Sequence, residues 1–149
     1  MLKRLAAMLQ APARTERPAM CYKLAACVVL VEAASIDHDF TEEEQAHVLR
    51  VMQERFGLNA EEAAELMEAS HDARAESSDL WKFTNQINQA LSHPEKLALV
   101  EEVWRIFYSD GHLSAHEDHL AHKLLSLLNI NHPQLIAAKM KVLAEIRGA

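Results

Sequence analysis

Two short acidic segments hold the residues best suited to chemistry. Asp37-His38-Asp39-Phe40-Thr41-Glu42-Glu43-Glu44 aligns without a gap on Asp110-Gly111-His112-Leu113-Ser114-Ala115-His116-Glu117. The shared pattern is Asp, two residues, Phe or Leu, Thr or Ser, two residues, Glu, at a constant offset of 73. The match runs on, with Arg50 over Lys123, Val51 over Leu124 and Met52 over Leu125. With one residue dropped, Phe56-Gly57-Leu58-Asn59 falls over Leu128-Asn129-Ile130-Asn131. Two such copies packed about a pseudo-two-fold axis would bring Asp37, Glu44, Asp110 and Glu117 together, with Asp39 as a supplement. Carboxylates that close repel one another, so they either share protons or hold a cation. An all-oxygen donor set favours a hard ion such as Ca²⁺, Mg²⁺ or Mn²⁺.

A plainer reading accounts for much of the same pattern. Thr41/Glu44 and Ser114/Glu117 are capping boxes, each cap worth about 1 kcal/mol. Asn59/Glu62, Ser92/Glu95 and Asn131/Gln134 repeat the arrangement at helix starts with no other role. Asp37 and Asp110 stand four residues before the caps, where capping does not need them, although Asp is common in turns. Both readings stay open at this level.

Other chemistries fare worse. An EF-hand counted from Asp37 has Glu42 in place of the glycine and Val48 in place of the bidentate Glu; counted from Asp110 it has Ala115 and Ala121. His112, His116, His119 and His122 gather near the second acidic turn, and His38 and His47 near the first, but no Cys or HExxH pattern supports zinc. A solvated histidine-rich face is the expected arrangement. A di-iron carboxylate site needs Glu-x-x-His twice; Glu44–His47 supplies one, and Leu120 stands at the position matching His47. No P-loop, dinucleotide fingerprint, nucleophile elbow or catalytic Cys–His pattern occurs, so the chain is not expected to be an enzyme.

The elements that must position these residues read as helices throughout. Three glycines and four prolines occur, mostly at expected helix ends, and no sustained alternation supports a strand. Pro12 and Pro18 bracket a polar loop, whereas Pro94 and Pro133 open new helical patterns. About eight helices are expected, over roughly 2–10, 19–35, 41–56, 60–76, 79–91, 93–109, 115–128 and 132–147. The fold class is therefore all-α, a single domain of two pseudo-symmetric four-helix repeats, about 1–76 and 77–149. Leu24 to Val31 is apolar on every side and should be central and buried. Trp81 and Trp104 are expected to anchor the core.

Composition narrows the partners. The 149 residues suit one domain, and 50% hydrophobic content supplies a core. Fifteen basic against 22 acidic side chains give a net charge of −7, which argues against nucleic acid. Cys21 and Cys27 are too few and too close for a disulfide framework and read as reduced core thiols of a cytoplasmic protein. The N-terminal run Leu5–Leu9 is too short for a signal peptide, and no stretch is long enough to insert in a bilayer.

The region 33–51, and above all Ser109-Asp110-Gly111-His112-Leu113-Ser114 followed by Glu117, resembles the tellurite-resistance TerB family. That family is marked by a turn of small residue, Asp-Gly, hydrophobic residue, Ser/Thr, x-x-Glu between two helices. The resemblance covers about residues 20–143. It implies an all-α fold of two pseudo-symmetric halves, acidic residues that chelate a metal, and a protein partner in membrane-linked stress or tellurite-resistance complexes. A related domain in membrane-anchored DnaJ-like co-chaperones looks like an interaction module. Carried over, Asp37 and Glu44 match the first motif and Asp110 and Glu117 the second. His38 stands where the family has glycine, so the first turn departs from the pattern.

The expectation is thus a metal-binding accessory or sensor protein. Its rival is a metal-free helical interaction module whose acidic surface meets a basic partner.

Overall fold

A computed structural model describes residues 16–36, 40–110 and 113–148, with the side chains at 16–21 and 110 outside that description. Seven α-helices occur there, with no strand among the described residues: α1 (Glu16–Ser35), α2 (Glu42–Phe56), α3 (Ala60–Ala75), α4 (Trp81–Ala90), α5 (His93–Phe107), α6 (Ala115–Leu127) and α7 (His132–Gly148). A single 3₁₀ turn, Tyr108–Asp110, follows α5. The helix expected at 2–10 lies outside the described residues.

All five expected capping boxes form. In each, the cap side chain accepts from the backbone N–H three residues on, and that residue's side chain accepts from the cap's N–H. α1 begins at Glu16 rather than after a loop ending at Pro18. Pro18 is tolerated because the first turn of a helix has no intrahelical use for its N–H. Helix α2 ends at Gly57, whose φ of +70° is the left-handed conformation that closes a helix without a Cβ penalty.

The apolar run 24–31 explains the architecture. A helix with no polar face must be surrounded, and α1 packs against α2, α3, α4 and α5, burying Ala25 to Val31, Ala33 and Ala34. No helix among the described residues is long and apolar enough to cross a membrane. Cys27 is a free, buried thiol donating to Ser70 Oγ at 3.6 Å, and burial pushes its pKa up to about 11. It stays protonated and unreactive. Arg74 of α3 clasps Glu32 of α1 through Nε and Nη2, at 3.0 and 3.3 Å.

The second layer rests on α5. Trp104 is buried, meets Phe107 edge-on at 5.8 Å, and donates its indole N–H to the Leu135 carbonyl of α7 at 3.2 Å. Lys96 is buried too, with its amine donating to the Leu128 carbonyl at 2.8 Å and to Asn88 Oδ1 at 3.1 Å. Its charge sits at the C-terminal end of α6, where the helix dipole favours a cation.

Trp81 corrects the sequence expectation: it is 60% exposed. It opens α4, where its N–H bonds Asp79 Oδ1 at 2.9 Å. Leu80, Phe83, Thr84 and Ile87 take the inward positions of this segment and leave Trp81 facing outward.

Candidate functional site

Capping dictates where two of the four expected ligands lie. Thr41 opens α2, and Glu44 Oε1 accepts from the Thr41 N–H and from its hydroxyl, both at 3.0 Å. Ser114 opens α6 in the same way, with its N–H bonding Glu117 Oε1 at 2.9 Å. The backbone N–H groups of Glu44 and Glu117 donate to the Thr41 and Ser114 hydroxyls at 3.2 and 3.1 Å. Both glutamates also line one cavity of about 480 Å³. Residues 73 positions apart in the chain thus share a wall. Glu44 is half-buried, whereas Glu117 is only 7% exposed.

Asp37 and Asp39 lie outside the described residues. The backbone of Asp110 ends the 3₁₀ turn after α5, four residues before the α6 cap, and its side chain is outside the description. Among the described residues, no group of three or more His, Cys, Asp or Glu side chains could hold a metal ion. Glu44 and Glu117 therefore supply two carboxylates to the cavity, and an ion there would need further oxygen donors from the two aspartates.

The rest of the cavity wall mixes charged groups (Glu43, Arg50, Arg105) with His47, Thr41, Ser109 and the apolar Ile106, and most of it has no short-range sequence pattern. His47 and Arg50 follow Glu44 on α2, while Arg105 and Ser109 come from α5 and the turn after it. Arg50 Nη2 stands 3.0 Å from His47 Nδ1. A guanidinium can only donate, so Nδ1 accepts and the ring proton of the neutral imidazole sits on Nε2. That Nε2 is buried without a hydrogen-bond partner, 3.9 Å from Glu102 Oε1. Desolvation lowers the His47 pKa, with Glu102 opposing and Arg50 and Arg105 reinforcing the shift. In this tautomer the Nδ1 lone pair is engaged by Arg50 and Nε2 carries the ring proton.

Glu102 is the hub behind the cavity. It is 6% exposed and paired with Arg55 of α2 and, at 3.0 Å, with Arg105 on its own helix. Arg105 extends the network to Glu145 of α7, with Nη2 at 2.7 Å and Nε at 3.0 Å. That contact holds the Glu145 carboxyl below its usual range. Lys141 of α7 adds a 3.1 Å pair with Glu101. Together these charges tie α2, α5 and α7 along one side of the molecule. Sequence reasoning passed over Glu102 and Arg105, and met Ser109 only as the small residue that opens the second motif. The available signal was Glu102 itself, a carboxylate in the stripe Leu99–Glu102–Ile106 of an otherwise apolar helix face.

The described histidines of α6 form the solvated face expected of them: His116, His119 and His122 are all exposed. His122 also lies across from His132, the first residue of α7, with ring centres 5.8 Å apart. His38 and His112 lie outside the described residues.

The family model described as "Tellurite resistance protein TerB" matches residues 23–140. No curated protein and no solved structure matches the chain.

Proposed function

The chain belongs to the TerB family and carries a helical domain of the tellurite-resistance type, and on that premise we propose that it is a non-enzymatic, metal-binding accessory or sensor protein. The observation that carries this reading is the shared cavity wall: Glu44 and Glu117, from the two aligned motifs, face one space. Asp37 and Asp110 open those motifs, each the same number of residues before its glutamate, and would complete an oxygen donor set for Ca²⁺, Mg²⁺ or Mn²⁺. A bound cation would supply the charge that offsets repulsion among these carboxylates and would tie the two turns together.

Two repeats within one domain, about 1–76 and 77–149, are part of the proposal. Two local features support it. Gly57 and Asn129, which the alignment places together, take φ values of +70° and +57°. α1 packs on α3 as α5 packs on α7. The working setting we propose is the cytoplasm, with a protein partner in a membrane-linked stress complex and no nucleic acid.

Thermal unfolding of chelator-treated protein, titrated with each hard cation, tests the reading. A ligand specific to the native state stabilises it by about 2.7 kcal/mol at one hundred times its Kd. The informative variant is Glu44→Gln/Glu117→Gln, since glutamine preserves a capping box while removing both charges. The expected result is a rise in Tm with a hard cation, lost in that variant and in Asp37→Ala/Asp110→Ala. Absence of a rise with any hard cation, or a rise that survives both double variants, overturns the proposal.

A further inference from the structure

We propose a second metal site, separate from the carboxylate cavity and different in chemistry: His122 and His132 form a two-imidazole clip for a borderline divalent ion such as Zn²⁺ or Ni²⁺. The argument begins with tautomers. His122 Nδ1 lies 2.9 Å from the backbone carbonyl of Asp118. A carbonyl oxygen only accepts, so Nδ1 carries the proton and the neutral ring keeps its lone pair on Nε2. The Asp118 carboxylate stands 3.7 Å from the same Nδ1 and reinforces that orientation. A ring nitrogen held by a carbonyl or carboxylate, leaving the other nitrogen open, is the usual support of a metal-binding histidine. His47 has the opposite arrangement, with its proton on Nε2 and its lone pair engaged by Arg50.

Distance carries the second step. Two imidazoles bound tetrahedrally at about 2.0–2.1 Å place their ring centres roughly 5 Å apart. The observed separation of 5.8 Å, with the planes 30° from parallel, comes within a small side-chain adjustment of that value. Both residues are exposed and anchored on different helices, His122 midway along α6 and His132 at the start of α7. An ion between them would therefore bridge the two helices, with water completing its coordination. Imidazole donors select Zn²⁺, Ni²⁺ or Cu²⁺ over the hard cations proposed for the carboxylates.

Isothermal titration of chelator-treated protein with ZnCl₂ at pH 7.5 tests the site. The expected result is one equivalent bound in the micromolar range, weakened at least tenfold by His122→Ala and by His132→Ala. Binding within twofold of wild type is expected in His116→Ala/His119→Ala and in Glu44→Gln/Glu117→Gln. The clip is overturned if the wild type takes up no Zn²⁺, if His122→Ala/His132→Ala binds within twofold of wild type, or if the His116/His119 variant loses the ion instead. Because Glu44→Gln/Glu117→Gln leaves this site intact, failure here is distinct from failure of the carboxylate reading.

Discussion

The two aligned turns share their capping boxes and differ in almost everything behind them. On the first, Glu44 is half-buried, and one turn later His47 points an unpartnered N–H toward the buried Glu102. On the second, Glu117 is buried, and the position matching His47 holds Leu120, only 4% exposed. Beyond them, Arg55 and Arg105 converge on the buried Glu102 and tie α2 to α5, while α6 packs on α4 and α7. Local pattern thus specifies how a helix starts, and packing partners decide what the next turn does. Behind the first cap the next helical turn presents a histidine to a buried carboxylate; behind the second it presents a leucine to the core.

The largest test of that contrast exchanges the residues behind the caps. Leu120→His places an imidazole where α6 meets the core, losing apolar burial and leaving polar atoms unpaired. A loss of about 2–5 kcal/mol is expected by urea unfolding. A loss under about 1 kcal/mol would mean that the second turn is as accommodating as the first. Next in size are the glutamates themselves. Glu117→Ala removes a buried capping carboxylate and should cost roughly 1–2 kcal/mol, against about 0.5–1 for the half-exposed Glu44→Ala. Equal losses would erase the burial difference from the comparison.

What the sequence made legible follows the same division. All five capping boxes were readable because each is settled within four residues. The burial of Ala25 to Val31, with Leu24 partly covered beside them, was readable because no orientation of such a helix exposes a polar face. Trp81 was not, since its exposure depends on Leu80 filling the inward position, which only the packing of α4 decides. The pairing of His122 with His132 was hidden because spacing on α6 pointed to His116 and His119, while the partner came from the next helix. Glu44 and Glu117 were named from a duplicated motif, and their common cavity agrees with that choice. Arg105, the cation that α5 adds beside them, comes from a helix whose sequence carries no motif.

The smallest expected effect is the one that isolates His47. Burial lowers its pKa from the ordinary 6.5, and the nearby Arg50 and Arg105 act in the same direction against the attraction of Glu102 and Glu54. Between the lowered folded value and 6.5 the unfolded chain binds more protons, so stability rises with pH through that window. The contribution is complete above about pH 6.5 and is lost as pH falls toward the folded value. His47→Leu installs the residue found at the matching position and removes the titration along with the orphaned N–H. The wild type should therefore lose stability relative to His47→Leu as pH drops below 6.5, a difference readable as diverging urea midpoints while the other eight histidines cancel. Convergence of the two proteins on acidification would carry the opposite sign. It would mean that protonated His47 closes on Glu102 and that the ion pair outweighs the cost of burial. The first turn would then be a latent salt bridge rather than a desolvated histidine.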